Sequence, residues 1–243
     1  MRRTLSLGAL LTLLLTGCGH VNHLARYPVQ GSTMLFTSRV HPEALGTDVE
    51  IASPVSSHDT STPKPVRWML EIARAAGESF TEAAAYDKLF SALNAEELAE
   101  AASAAFRKAA QTYLRVRPVS SLEESPEFLA ETVLEQYRLT ATASGVFARV
   151  KVRSRIIHRP SGTVVWDNAE AETIPLQRTT GAAITGAVVP AAATTASILN
   201  VSRLLSLEPE QLRAIFRNAS EQVGTLVGET LREDVSKLPR AGY

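Results

Sequence analysis

Three consecutive runs of strand periodicity, residues 129–141, 146–158 and 163–176, constrain this chain more tightly than any other feature. Two turn signals separate them, Ser144-Gly145 and Arg159-Pro160-Ser161-Gly162. Strands joined by such short connections fold back on one another as an antiparallel meander. In the middle run Ala148, Val150, Val152, Ser154 and Ile156 alternate with Arg149, Lys151, Arg153 and Arg155. Successive side chains of a strand point to opposite faces, so this sheet has one dry face and one wet face.

A dry face has to be covered, and the end of the chain supplies a cover. Leu212, Ile215, Phe216, Ala219, Val223, Leu226, Val227, Leu231 and Val235 keep steps of three and four residues behind Pro209, the pattern of a long amphipathic helix. A second helix is expected from Asn94, whose side chain can cap it with Glu97 three places on. Its apolar face reads as Leu98, Ala102, Ala105, Ala109 and Tyr113. Residues 79–93 also read as helical, and residues 113–120 as a short strand. Val66, Trp68, Leu70 and Ile72 alternate with Arg67, Met69 and Glu71, which favours a strand, although the neighbouring alanines also permit a helix. The fold class expected is α+β: a mainly antiparallel sheet with a three-stranded meander, covered by helices that include the long C-terminal one.

The first residues carry an address. Arg2 and Arg3 precede an apolar run that ends at Leu15-Thr16-Gly17-Cys18, which reads as a secretory signal over residues 1–17 cleaved between Gly17 and Cys18. The apolar run is too short to span a bilayer, which takes about 20 residues. The tetrapeptide resembles the lipobox of bacterial lipoproteins, and Cys18, the one cysteine of the chain, is the only thiol that can take up a diacylglyceryl group. That resemblance implies attachment to a membrane through acyl chains. It also implies sorting to the outer membrane, since Gly19 stands where an aspartate would favour retention at the inner one. Residues 18–64, broken by Pro28, Gly31, Pro42, Gly46 and Pro54, read as a lipidated N-terminus and flexible tether. At most two weak strands are expected in it, at residues 33–40 and 48–55. Residues 65–243 read as a single α/β domain.

Loss of Arg2 and Arg3 with the signal leaves 23 Lys and Arg against 25 Asp and Glu, a balance that attracts neither nucleic acid nor an anionic surface. The four cationic residues of the middle strand offer two readings. They could hold an anion, or they could pair across strands with Glu131, Glu135, Asp167, Glu170 or Glu172, and the second is the ordinary use of such a row. Residues 179–202 contain no charge and are rich in Ala, Thr and Gly. They read as an insertion that is a buried connector, a mobile loop or an apolar contact surface.

Of the five histidines, His20 and His23 fall in the tether, His41 and His58 in loops and His158 at a turn, none at zinc-protease spacing. With no nucleophile elbow, phosphate loop or free thiol, no catalytic, metal or cofactor site is expected, and the chain does not read as an enzyme.

The stretch ending in Ser161-Gly162-Thr163-Val164-Val165-Trp166 resembles a hairpin of small envelope lipoprotein domains. Those are the amino-terminal domain of TolB-type proteins, the curli-secretion lipoprotein, penicillin-binding-protein activators and ABC-transport auxiliary lipoproteins. The resemblance implies a non-enzymatic accessory of an envelope machine (secretion, transport or wall synthesis) that works through protein partners. A lipid-binding auxiliary lipoprotein is the alternative, and an envelope hydrolase comes third.

Overall fold

The computed structural model describes residues 20–50, 64–178 and 190–238. Seven strands and four α-helices follow one another as β1 (Val21–Asn22), β2 (Thr33–Val40), β3 (Leu45–Val49), α1 (Lys64–Ala92), α2 (Ala95–Tyr113), β4 (Arg117–Val119), β5 (Phe128–Thr142), β6 (Gly145–His158), β7 (Thr163–Arg178), α3 (Pro190–Ser206) and α4 (Pro209–Ser236). The strands form one open sheet in the order β1-β7-β6-β5-β2-β4, with β3 also on β5.

The meander β5-β6-β7 is antiparallel, as its turn signals require. Gly162 supplies the second turn, with φ of 67° that only glycine adopts freely, and its N–H donates to the His158 carbonyl at 2.8 Å. The sheet as a whole is mixed. Both β2 and β3 run parallel to β5, one after the other along its length: residues 34–40 of β2 pair with 128–134, and residues 45–49 of β3 with 137–141. A bulge at Leu134/Gln136 on β5 falls between the two pairings.

Residues 20–50 therefore do not behave as a tether. They contribute three strands and a 3-10 turn at Leu24–Arg26 to the sheet and its core, where Leu24, Val29, Met34 and Phe36 are buried. Proline and glycine at 28, 31, 42 and 46 punctuate short strands here, and parallel pairing with a segment some ninety residues on leaves no local signal. The strand expected at residues 48–55 is instead β3, and residues 51–55 lie outside the described ones. The alternation at residues 66–72 belongs to α1, a helix of 29 residues. Good helix formers around those positions outweigh a short run of period two. The strand expected at 113–120 shrinks to the edge strand β4, with Pro118 inside it.

Asn94 caps α2 as expected, its Oδ1 accepting from the N–H groups of Glu96 at 3.0 Å and Glu97 at 3.4 Å. The buried face of α2 is Leu98, Ala99, Ala102, Ser103, Phe106 and Ala110. Ala105, Ala109 and Tyr113, expected there, are only half-buried, because the large Phe106 sets which stripe turns to the sheet. Over β6 and β7 lies α4, burying Leu212, Phe216, Ala219, Val223, Val227 and Leu231 against Val150, Val152 and Ile156. Each such large apolar side chain contributes about 1.5–3 kcal/mol when fully buried.

The two covering helices approach very closely. A Cβ on Gly228 would lie 2.5 Å from Ala109 Cβ, and one on Gly224 would collide with the Ala102 carbonyl oxygen. Glycine is otherwise unfavourable in a helix interior by about 1 kcal/mol relative to alanine. Gly224→Ala is therefore expected to destabilise the fold by about 1–3 kcal/mol through overpacking, read as a lower urea midpoint. An unchanged or higher midpoint would mean that α2 and α4 do not meet at this point.

Candidate functional site

Small side chains on α2 leave a concavity on the described surface. Ala101, Ala104, Ala105 and Ala109 floor a groove of about 1330 Å³ beside α4, whose bank is Ala214, Asn218, Thr225 and Gly228. The two helices run the same way, since Arg213 Nε near the start of α4 donates to Ala92 O just before α2 at 2.7 Å, while Gly224 and Gly228 meet Ala102 and Ala109 farther on. Charged residues in the lining pair among themselves, Arg213 with Glu210 at 3.6 Å and Arg217 with Glu221 at 3.3 Å. The alanines were visible in the sequence, but the turn of α2 that leaves them open was not.

A second cluster sits where the N-terminus meets the end of α4. Trp166 is fully buried, stacked on Phe106 with ring centroids 5.6 Å apart, and its indole N–H donates to Asp234 Oδ2 at 2.9 Å. His20 Nε2 lies 2.5 Å from the same oxygen, and His20 Nδ1 lies 3.1 Å from the carbonyl oxygen of Asp167. Both ring nitrogens face acceptors, and these contacts clasp His20 to β7 and the end of α4. Burial pushes the Asp234 carboxyl up, but the Trp166 bond, the charge and bond of His20 and a bond from Lys237 outweigh it and hold the group below its ordinary range. No sequence spacing could reveal the clasp, because its partners lie 214 and 68 positions apart.

The cationic row of β6 pairs across strands. Lys151 and Arg153 meet Glu135 at 2.8 and 3.3 Å, and Arg153 and Arg155 meet Asp167 at 3.5 and 3.3 Å. Glu131 pairs with Arg39 on β2 instead, while Glu170 and Glu172 stand opposite Val152 and Val150 on the helix-covered side. Arg149 faces Arg138, which is drawn to Asp48 at 2.5 Å.

The second half of the uncharged insertion is helical. In α3, Ala196, Val201 and Leu204 are buried, Asn200 donates to the carbonyl of Thr142 at 2.8 Å, and Ile198 and Leu199 are exposed. Residues 179–189 lie outside the described ones, as do Gly17, Cys18 and His58. His41 is exposed, and His158 packs between Tyr27 and Phe128 with Nδ1 at 2.8 Å from Ser161 Oγ. Among the described residues, no three His, Cys, Asp or Glu side chains gather as a metal would need, and no helix is long and apolar enough to cross a membrane.

No family model matches the sequence, and no curated protein matches it. Solved structures that it is similar to include the PelC dodecamer from Paraburkholderia phytofirmans, at 11% identity over 78% of this chain and 97% of that one, with a TM-score of 0.34. Protein XCC0632 from Xanthomonas campestris is 13% identical over 89% of this chain and 93% of that one, at a TM-score of 0.36. The C-terminal domain of LpoB from Salmonella enterica is 12% identical over 67% of this chain and 92% of that one, at a TM-score of 0.17. At these values the likeness assigns neither a family nor an activity.

The depressed Asp234 group predicts a pH signature. Its stabilisation is present above the ordinary carboxyl value of 3.8 and is lost as pH falls from there through the lower folded value. Asp234→Asn is expected to flatten that acid limb in urea titrations between pH 2 and 5. Asp234→Ala, which strands the indole N–H, is expected to cost about 1–3 kcal/mol at pH 7. An acid limb in Asp234→Asn equal to that of the unmodified protein would show that the carboxylate is not held in its charged form by the clasp.

Proposed function

We propose that this chain is the precursor of an outer-membrane lipoprotein, acylated at Cys18 after loss of residues 1–17. In that reading it serves as a non-enzymatic accessory of an envelope complex by receiving a helical segment of a partner protein. The groove between α2 and α4 carries the reading. Its lining runs from Asn94 to Tyr113 on α2 and from Glu210 to Glu229 on α4, roughly five turns of each helix, the alanines in that lining let a foreign backbone come close, and the paired charges beside it can set register.

The alternative of an acyl chain sheltered between sheet and long helix finds little room in the described residues. Val150, Val152, Phe216 and Val223 fill that layer, each with no exposed surface. The signal sequence and lipobox support the anchor, and Gly19 after the cysteine supports the outer membrane.

Two measurements test these points separately. Cys18→Ala is expected to accumulate as an unprocessed precursor lacking acyl chains in mass spectra; normal acylation elsewhere would end the lipoprotein reading. A photoactivatable residue at position 104, in the groove, is expected to crosslink one envelope protein in intact cells, and one at position 149, on the open sheet face, is not. Equal capture from the two positions would remove the groove from the account.

A further inference from the structure

The clasp and β1 together fix where the chain emerges from the fold. Val21 and Asn22 pair antiparallel with Asp167 and Trp166, and the His23 N–H donates to the Val165 carbonyl at 2.7 Å. His20 is held on both ring nitrogens, by Asp234 and by the carbonyl of Asp167. Two peptide links separate His20 from Cys18, and two trans links span at most about 7.6 Å between Cα atoms. The antiparallel direction of β1 carries the chain, read backward, past Asp167 toward Asn168 and Glu170.

Among the described residues the outer edge of β7 is met by β1 and His23 only at Val165, Trp166 and Asp167, and no described strand lies beside it from Asn168 onward. The end of α4 lies over the same place, with Thr230 Oγ1 donating to Glu170 Oε1 at 3.0 Å and Asp234 bonded to Trp166.

The headgroup layer of each leaflet is only about 5–7 Å deep. A cysteine whose acyl chains lie in the hydrocarbon, about 7.6 Å or less from a pinned residue, leaves no slack for the domain to stand off. From this we infer that the β7 edge of the sheet, from Asn168 onward, with the adjoining last turns of α4, rests on the lipid surface. The inference rests on acylation of Cys18. Its partner is the polar headgroup region, met by open edge amides and by Glu170 and Glu172, so the contact depends on the anchor rather than on anionic lipid.

The test uses the full mature lipoprotein in vesicles of phosphatidylethanolamine and phosphatidylglycerol. Acylation leaves the chain without a free thiol, so one introduced cysteine takes one label. A fluorophore on Ala171→Cys, at the β7 edge, is compared with one on Arg117→Cys in β4 at the opposite edge, against headgroup-nitroxide lipid. Quenching at 171 is expected to be at least twice that at 117. Insertion of six Gly and Ser residues between Gly19 and His20 is expected to bring the two to the same level. Equal quenching in the uninserted protein, with acylation verified by mass, overturns the seating and leaves the lipoprotein reading standing; so does a preference that survives the insertion. An unacylated Cys18 overturns both.

Discussion

Everything in this fold depends on hiding one face of three long strands. The side chains of Ala148, Val150, Val152, Ser154 and Ile156 on β6 have no exposed surface, and β5 and β7 match them on either side. Helices α2 and α4 cover it and touch each other through glycine and alanine, and Leu89 of α1 and Leu204 of α3 join the same core. Ser154 is the one polar member of the row, and its hydroxyl is satisfied by Thr132 across the strand at 3.2 Å.

The opposite face is solved by charge instead of by helices. Cations of β6 interleave with Glu135 and Asp167 of its neighbours, and Val133 is 6% exposed despite facing the same side. The aliphatic stems of Arg153 and Arg155 can shield apolar surface while their heads stay with water and carboxylates. Three of the four cations, Lys151, Arg153 and Arg155, thus help to cover these strands.

What was legible in the sequence is what has a local period. The meander, the Asn94 cap and the helix behind Pro209 all announce themselves within a dozen residues of chain. Parallel strands β2 and β3 do not, since their partner lies beyond two helices. The stretch at 66–72 misled because period two over seven residues is weaker than the helical preference of what surrounds it. His20 was least legible of all. A lone histidine in a proline-broken segment gives no hint that it closes on Asp234 and Trp166, and that contact converts an apparent spacer into part of the body.

The same closure bears on the order in which the molecule is made. His20 finds its carboxylate 214 positions along and its backbone partner 147 positions along. Loop closure over such separations is entropically late, and chains dominated by it fold slowly. During synthesis residues 20–22 can meet these partners only after β7 and the last turns of α4 have been made. Of the described strands β1 is made first, and its pairing is among the last to form.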